Sequence, residues 1–171
     1  MSMKLNAGQV GRADLFFIDP DQMVVDERLN SRLEPHGPEE LEALARSIKL
    51  HGQQQPCVAR RIADQRVQLV SGYGRLAAIR LINRTEPLKV QVRIKEMNDS
   101  EALVASIVEN LERANTTPID DAHAQRRLRE ELGWDSKQIA ELYQCSVAYL
   151  STLRRTLRLA SSVQRKVAQG D

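Results

Sequence analysis

The sequence predicts an α+β amino-terminal domain followed by an all-α domain built around two closely spaced helices. Three observations predict it. Up to about residue 99, short strand-like runs are interleaved with two amphipathic helical patterns. From Ser100 onward every pattern is helical. The stretch "RANTTP", polar and ending in Pro118, punctuates the chain near 113–118 and divides it into domains at 1–115 and 116–171.

In "DLFFIDPDQMVVDERLNSR" two short apolar runs flank Asp19-Pro20-Asp21, the pattern of strand, turn and second extended segment. In "GPEELEALARSIKLHG" Pro38 suits a first helical position and acidic residues fill the first turn. Leu41, Leu44, Ala45 and Ile48 then fall on one face, and Gly52 stops the helix. "QPCVARRIADQRVQLVSG" reads as strands near 57–61 and 67–70 joined by a polar turn. "SGYGRLAAIR" follows, with a helix starting near Arg75, and "LKVQVRI" alternates as a strand does. Helices are expected at about 100–112, 118–132, 136–144, 147–159 and 161–169, broken near Pro118, Gly133 and Cys145.

Composition sets limits on function. A chain of 171 residues with 42% hydrophobic and 28% charged residues is that of a soluble globular protein. No apolar run approaches the roughly 18 residues of a membrane span, and no signal-peptide core is present, so the expectation is a cytoplasmic protein. Cys57 and Cys145 are too few for a disulfide framework or zinc site, and His36, His51 and His123 are scattered. Charge is uneven: residues 1–125 carry 16 Lys/Arg against 18 Asp/Glu, residues 126–171 carry 9 against 5. A basic last third suits a polyanion partner, and equally a solvated basic helix face.

The most specific local signal is "SKQIAELYQCSVAYLSTLRRTLRL". Ser136 is expected to cap a short helix with Ile139, Ala140 and Tyr143 inward. A turn at Gln144-Cys145-Ser146 leads to a second helix, capped by Ser146, with Leu150, Leu153 and Leu157 inward. The spacing matches a DNA-binding helix-turn-helix, with Gln144 where a turn glycine is usual; a helical hairpin of a bundle has the same pattern. In the DNA-binding geometry Val147, Ala148, Ser151, Thr152 and Arg155 face base edges, and Arg155 alone can take guanine bidentately. Arg154, Arg158, Lys137 and Arg126 then fall to phosphates.

"VSGYGRLAAIR" brings a strand end, a glycine turn and a helix start to one point, with Arg75 adding a guanidinium. That is an anion site or a plain strand-to-helix corner. In "VENLERANTTPIDDAHAQRRL", Glu109, Asn110 and Arg113 bunch at a helix end. Two oxygen-bearing side chains can ligate Mg²⁺ and Arg113 can meet phosphate; a solvated helix end looks the same.

Together these segments resemble, in order, the ParB/Spo0J family of DNA-partition proteins, whose amino-terminal domain is of the ParB/sulfiredoxin-like kind. "LNSRLEPHGPEELEALARSIKLHGQQQPCVAR" resembles the family's first box, "SGYGRLAAIR" lies where it has G-E-R-R-x-R-A-A, and "VENLERANTTPIDDAHA" is close to E-N-L-Q-R-x-x-x-x-P-I-E-E-A. The resemblance implies binding to a centromere-like duplex DNA site through the helical domain. It also implies binding of CTP with Mg²⁺ by the amino-terminal domain, closing a homodimer into a clamp. It assigns nucleotide contacts to Arg32, Ser47, Gly52, Gln55, Gly72, Tyr73, Gly74, Arg75, Glu109, Asn110 and Arg113. Glu109 and Asn110 would hold the metal through the nucleotide. Ser146 and the helix-turn-helix residues named above would meet DNA. A ParA-type ATPase partner, association with nucleoid or plasmid, and at most weak CTP hydrolysis are implied as well. The chain ends at "VAQGD", where relatives continue into a dimerisation domain, so it is expected to lack that domain and to dimerise only with ligand.

Two departures stand out. Tyr73 replaces the box's glutamate and Gly74 its first arginine, which removes a charge-assisted bond of about 1.5–3 kcal/mol from a triphosphate site. Sulfiredoxin's catalytic cysteine position is Tyr73 here, and the D-G-H-H-R box of related kinases is absent, so neither activity is expected. Two further readings remain: a transcriptional repressor without a nucleotide switch, and a nucleotidase or nuclease using Glu109 and Asn110.

Overall fold

The computed structural model describes residues 15–30, 37–112, 117–158 and 163. Arg32, Arg113 and the helix expected at 161–169 lie outside them. Among the described residues no helix is long and apolar enough to cross a membrane. The chain divides into two compact units, one of 1–25 and 36–96, the other of 26–35 and 97–171.

The first unit is α+β. Its strands are β1 (Leu15–Ile18), β2 (Met23–Val24), β3 (Cys57–Arg61), β4 (Val67–Ser71) and β5 (Val90–Ile94), in the order β1-β5-β3-β4-β2. β1 runs antiparallel to β5 and β3 to β4, whereas β2 is parallel to β4 and β3 to β5. A short 3-10 turn at Pro20–Gln22, capped by the Asp19 carboxylate, joins β1 to β2. Helix α1 (Pro38–His51) starts with its proline in the first turn and ends on Gly52 at φ 71°. Helix α2 (Tyr73–Ile82) packs on α1. Ala45 and Ile48 of α1 and Leu76, Ala78, Ile79 and Ile82 of α2 join Cys57, Ala59, Leu69, Val90, Val92 and Ile94 in one core. The alternation Val90, Val92, Ile94 that predicts β5 is the alternation the core buries.

The second unit is helical. Helix α3 (Asp99–Leu111) opens with a reciprocal Asn98–Glu101 cap and α4 (Pro118–Leu132) with a Thr117–Asp120 cap. Gly133, at φ 68°, closes α4. Helix α5 (Ser136–Leu142) and α6 (Val147–Thr156) follow. Ile119, Ala122, Leu128, Ile139, Leu150 and Leu153 are buried, and so is Gln125, whose amide has no hydrogen-bond partner among the described residues.

Helix α3 packs on α4 and on the 3-10 turn Glu27–Leu29, whose Leu29 carbonyl accepts from Ser106 Oγ, so it clusters with the helices that follow. Two expectations are corrected. Helix α2 begins at Tyr73, not near Arg75, because Gly72 alone turns the chain. The cap of α5 is Asp135, which accepts from the Lys137 and Gln138 N–H groups while Gln138 reaches back; Ser136 is the first helical residue.

Gly72 sets φ at 99°, and a Cβ there would stand 2.7 Å from Cys57 Sγ. Gly72→Ala is therefore expected to cost about 2–4 kcal/mol, combining left-handed strain of about 1 with overpacking of about 1–3. Urea denaturation reads it, and the same substitution in a Cys57→Ala background loses only the smaller, conformational part.

Candidate functional site

In the first unit the candidate site is the corner where β4 becomes α2. Among the described residues no side chain caps α2, whose N-cap is Gly72, and Cys57 Sγ lies against that glycine. The Arg75 guanidinium stands at this corner: its Nη2 would lie 3.3 Å from a Cβ on Gly72, and its Nη1 donates to the Gln55 and Pro56 carbonyls at 3.0 Å each. Arg75 thus joins the α2 start to the 52–56 loop and brings Gly72 and Gln55 together. Gly52 begins that loop, and Ser47 is exposed on α1. The arrangement places a guanidinium beside a helix N-terminus, two groups that favour an anion.

Tyr73 and Gly74 sit differently from their place in the expected turn. Both are in the first turn of α2; Tyr73 packs on the core and donates its hydroxyl to the Leu69 carbonyl at 3.5 Å, and Gly74 is buried. What they can offer an anion is backbone N–H. Sequence reasoning missed Gln53, whose amide takes both main-chain groups of Gln91: its Nε2 donates to the carbonyl and its Oε1 accepts from the N–H, each at 2.8 Å. A second bond from Nε2 reaches the Gln55 carbonyl. This side chain extends the β5 ladder beyond the start of β3 and fixes the loop, and nothing in "HGQQQP" distinguishes it from Gln54 or Gln55.

In the second unit Asn110 is buried at the end of α3 and Glu109 is half-buried. Among the described residues no three His, Cys, Asp or Glu side chains gather to hold a metal.

The second candidate region is α5, its turn and α6. Gln144 takes the left-handed conformation at φ 49°, and Cys145 N–H donates to the Ala140 carbonyl at 3.0 Å. Ser146 Oγ caps α6 by accepting from the Tyr149 N–H at 3.2 Å. Leu150 and Leu153 point inward, and Leu157 is half-buried. Val147, Ala148, Thr152, Arg154, Arg155 and Arg158 are exposed, as is Lys137 on α5, and Ser151 is half-exposed. Tyr149, 51% exposed on the same helix, was not singled out by sequence. A concavity of about 700 Å³ between α4 and α6 is lined chiefly by arginines, among them Arg129, which sequence reasoning also missed.

Beside the turn, burial and then the neighbouring Asp120 push the Asp121 carboxyl up to about 6, and its main-chain carbonyl accepts from the Tyr143 hydroxyl at 3.4 Å. Burial, and then Asp121, raise the Tyr143 hydroxyl well above its ordinary range. Because the folded chain favours protonated Asp121, this group's stabilisation is present below its ordinary value near 3.8 and lost as pH rises through about 6. Asp121→Asn should gain about 1 kcal/mol over the native chain between pH 4 and pH 7, a figure reduced for partial solvent screening. Denaturation midpoints across that range check it; a constant difference would overturn it. Gln144→Gly should stabilise by about 0.5–1 kcal/mol by relieving the left-handed strain, read as a higher midpoint with unchanged slope.

A family model for the ParB N-terminal domain matches residues 10–111. A probable chromosome-partitioning protein ParB from Pseudomonas putida is 31% identical over 134 residues, covering 78% of this chain and 45% of that protein. The chain thus spans about half the length of that relative. A C-terminally truncated chromosome-partitioning ParB of Caulobacter crescentus, complexed to the centromeric parS site, shares the fold. Its TM-score is 0.63 at 23% identity, over 91% of this chain and 78% of the other. The Caulobacter protein complexed with CTP-γ-S gives 0.50 at 24%, over 91% and 85%.

Proposed function

The chain belongs to the ParB N-terminal domain family, and from that premise we propose that it is a sequence-specific DNA-binding partition protein, a centromere-binding adaptor whose hold on DNA is gated by CTP. One observation carries the DNA-binding part. The α5–turn–α6 hairpin has the left-handed turn residue and serine cap of a helix-turn-helix, and it leaves Ala148, Thr152 and Arg155 exposed on the second helix. In that reading α6 enters the major groove with Val147, Ala148, Ser151, Thr152 and Arg155 toward base edges, and Ser146, Lys137, Arg154 and Arg158 toward the backbone. A centromeric site bound by the Caulobacter relative supports the same class of partner.

Nucleotide gating rests on the α2 corner. The uncapped helix start and Arg75 suit the triphosphate of CTP, and the Caulobacter relative complexed with CTP-γ-S points to that nucleotide. Glu109 and Asn110 carry side-chain oxygens of the kind Mg²⁺ prefers, and the family resemblance is what assigns them to the metal. Bound CTP would bring negative charge to a helix start and hold a homodimer closed on DNA; this chain's residues bind and orient it. Localisation to nucleoid or plasmid follows from the DNA partner. A repressor without a nucleotide switch is the second reading, and Tyr73 favours it: its side chain is turned into the core where the family's box supplies a polar group.

Arg75→Ala should weaken CTP binding by about ten- to a hundredfold in calorimetry, as loss of a charge-assisted bond implies, with DNA affinity in the absence of CTP kept within about twofold. Unchanged CTP affinity would remove Arg75 from the site, and no CTP effect on the native chain's DNA occupancy would leave the repressor reading. Arg155→Ala should reduce discrimination between a selected duplex and random duplex by about tenfold. An equal loss on both makes Arg155 a phosphate contact.

A further inference from the structure

The concavity between α4 and α6 carries more positive charge than its walls neutralise. Its lining includes Arg126, Arg129, Arg154, Arg155 and Arg158 against one carboxylate, Glu130. That carboxylate is already 3.9 Å from Arg126 Nε, one turn along α4. Arg154 Nη2 donates to the neutral Ser151 hydroxyl at 3.2 Å. Among the described residues Arg129, Arg154, Arg155 and Arg158 make no ion pair.

Arg129 is the most constrained of these. Its Nη2 donates to Ser136 Oγ at 2.9 Å, which ties the end of α4 to the first residue of α5. Its Nε is shut off from solvent and has no acceptor among the described residues. Burial, and then the nearby Arg154, lower its affinity for the proton, so this guanidinium is held in place, partly stripped of water and facing like charge. An anion in the groove relieves that repulsion without the guanidinium having to reorient, the condition under which charge-assisted bonds are strongest.

We propose that this groove seats a phosphate of the DNA backbone, and that Arg129 is its anchoring residue. The inference rests on the DNA-binding reading above and adds a backbone contact from α4. A duplex fits better than a free nucleotide for two reasons. The lining holds no aromatic ring for a base to stack on. Arg155 also lies on the exposed face of α6, so one polymer can meet the groove and the reading face together. Because Arg129 also holds Ser136, a phosphate seated on it fixes the α4–α5 junction against the backbone and sets the angle at which α6 meets the bases.

The test uses the 171-residue chain, a duplex selected by it from a random-sequence pool, and a scrambled duplex. Arg129→Gln is expected to lower affinity for both about tenfold and keep their ratio, while making the dependence of log K on log salt shallower by about 0.9, the slope of one phosphate. A methylphosphonate scan gives a second readout that survives a poorly folding variant. One neutralised phosphate should weaken the native chain, and that penalty should shrink in Arg129→Gln or, failing its folding, in Arg154→Gln. A native salt slope in Arg129→Gln, or no sensitive phosphate in the scan, overturns the proposal. So does loss of CTP binding in Arg129→Gln with DNA binding intact, which would give the groove to free nucleotide. If the native chain selects no duplex at all, the DNA-binding reading falls first; if it selects one and ignores Arg129→Gln, only this inference falls.

Discussion

One close contact organises the first unit: Gly72 against Cys57. β4 ends at Ser71 and α2 begins at Tyr73, so a single residue reverses the chain. It does so at φ 99°, with Cys57 Sγ where a Cβ would stand. Such a connection has no slack, and its geometry sets the rotation of α2. With that rotation Leu76, Ile79 and Ile82 meet the sheet and α1, and Arg75 emerges beside the loop that precedes β3. The site follows from the turn: glycine at 72 lets Cys57 Sγ close against the chain and brings the Arg75 guanidinium to the start of α2. Packing and anion chemistry make one demand on this residue.

Much of this was legible in the sequence where a residue's local chemistry has a single solution. Pro38 and Gly52 bracket α1, the alternation of "VQVRI" gives β5, and Gln144 takes the left-handed conformation at the position of the usual turn glycine. What was not legible depends on partners distant in sequence. That Gly72 alone makes the turn, putting Tyr73 and Gly74 inside the helix, is decided by Cys57 fifteen residues earlier. The role of Gln53 is decided by Gln91, and the allegiance of α3 by Leu29 and α4. Neighbouring glutamines, or helices of similar pattern, carry no mark of such pairings. The α5 cap is a different kind of miss: Asp135 and Ser136 both suit the position, and only the backbone decides which stands outside the helix.

The helical unit holds its polar groups in a characteristic way. Ser106, Asn110, Asp120 and Gln125 are buried among Ile107, Ile119, Leu128 and Leu150. Asp120 answers to Thr117 through a 2.7 Å bond, so it serves as cap and core residue at once. Asp121, next to it, has no comparable partner for its carboxylate among the described residues and is pushed toward the neutral form. Burial together with a neighbouring carboxylate therefore raises the cost of charge at Asp121.

The arginines of α4 make the same argument with the opposite sign. Arg126 and Arg127 have carboxylates four residues on, Glu130 and Glu131, and Arg127 binds its partner through two bonds of 2.6 and 3.1 Å. Four residues beyond Arg129 stands Gly133, the residue that must leave the helix at φ 68° to close it. The closing turn therefore deprives Arg129 of the helical ion pair its neighbours have, and a hydroxyl on the next helix takes it instead. A neutral acceptor fixes direction without cancelling charge. Where α4 ends thus decides which of its arginines are neutralised within the fold and which one carries its charge to the groove.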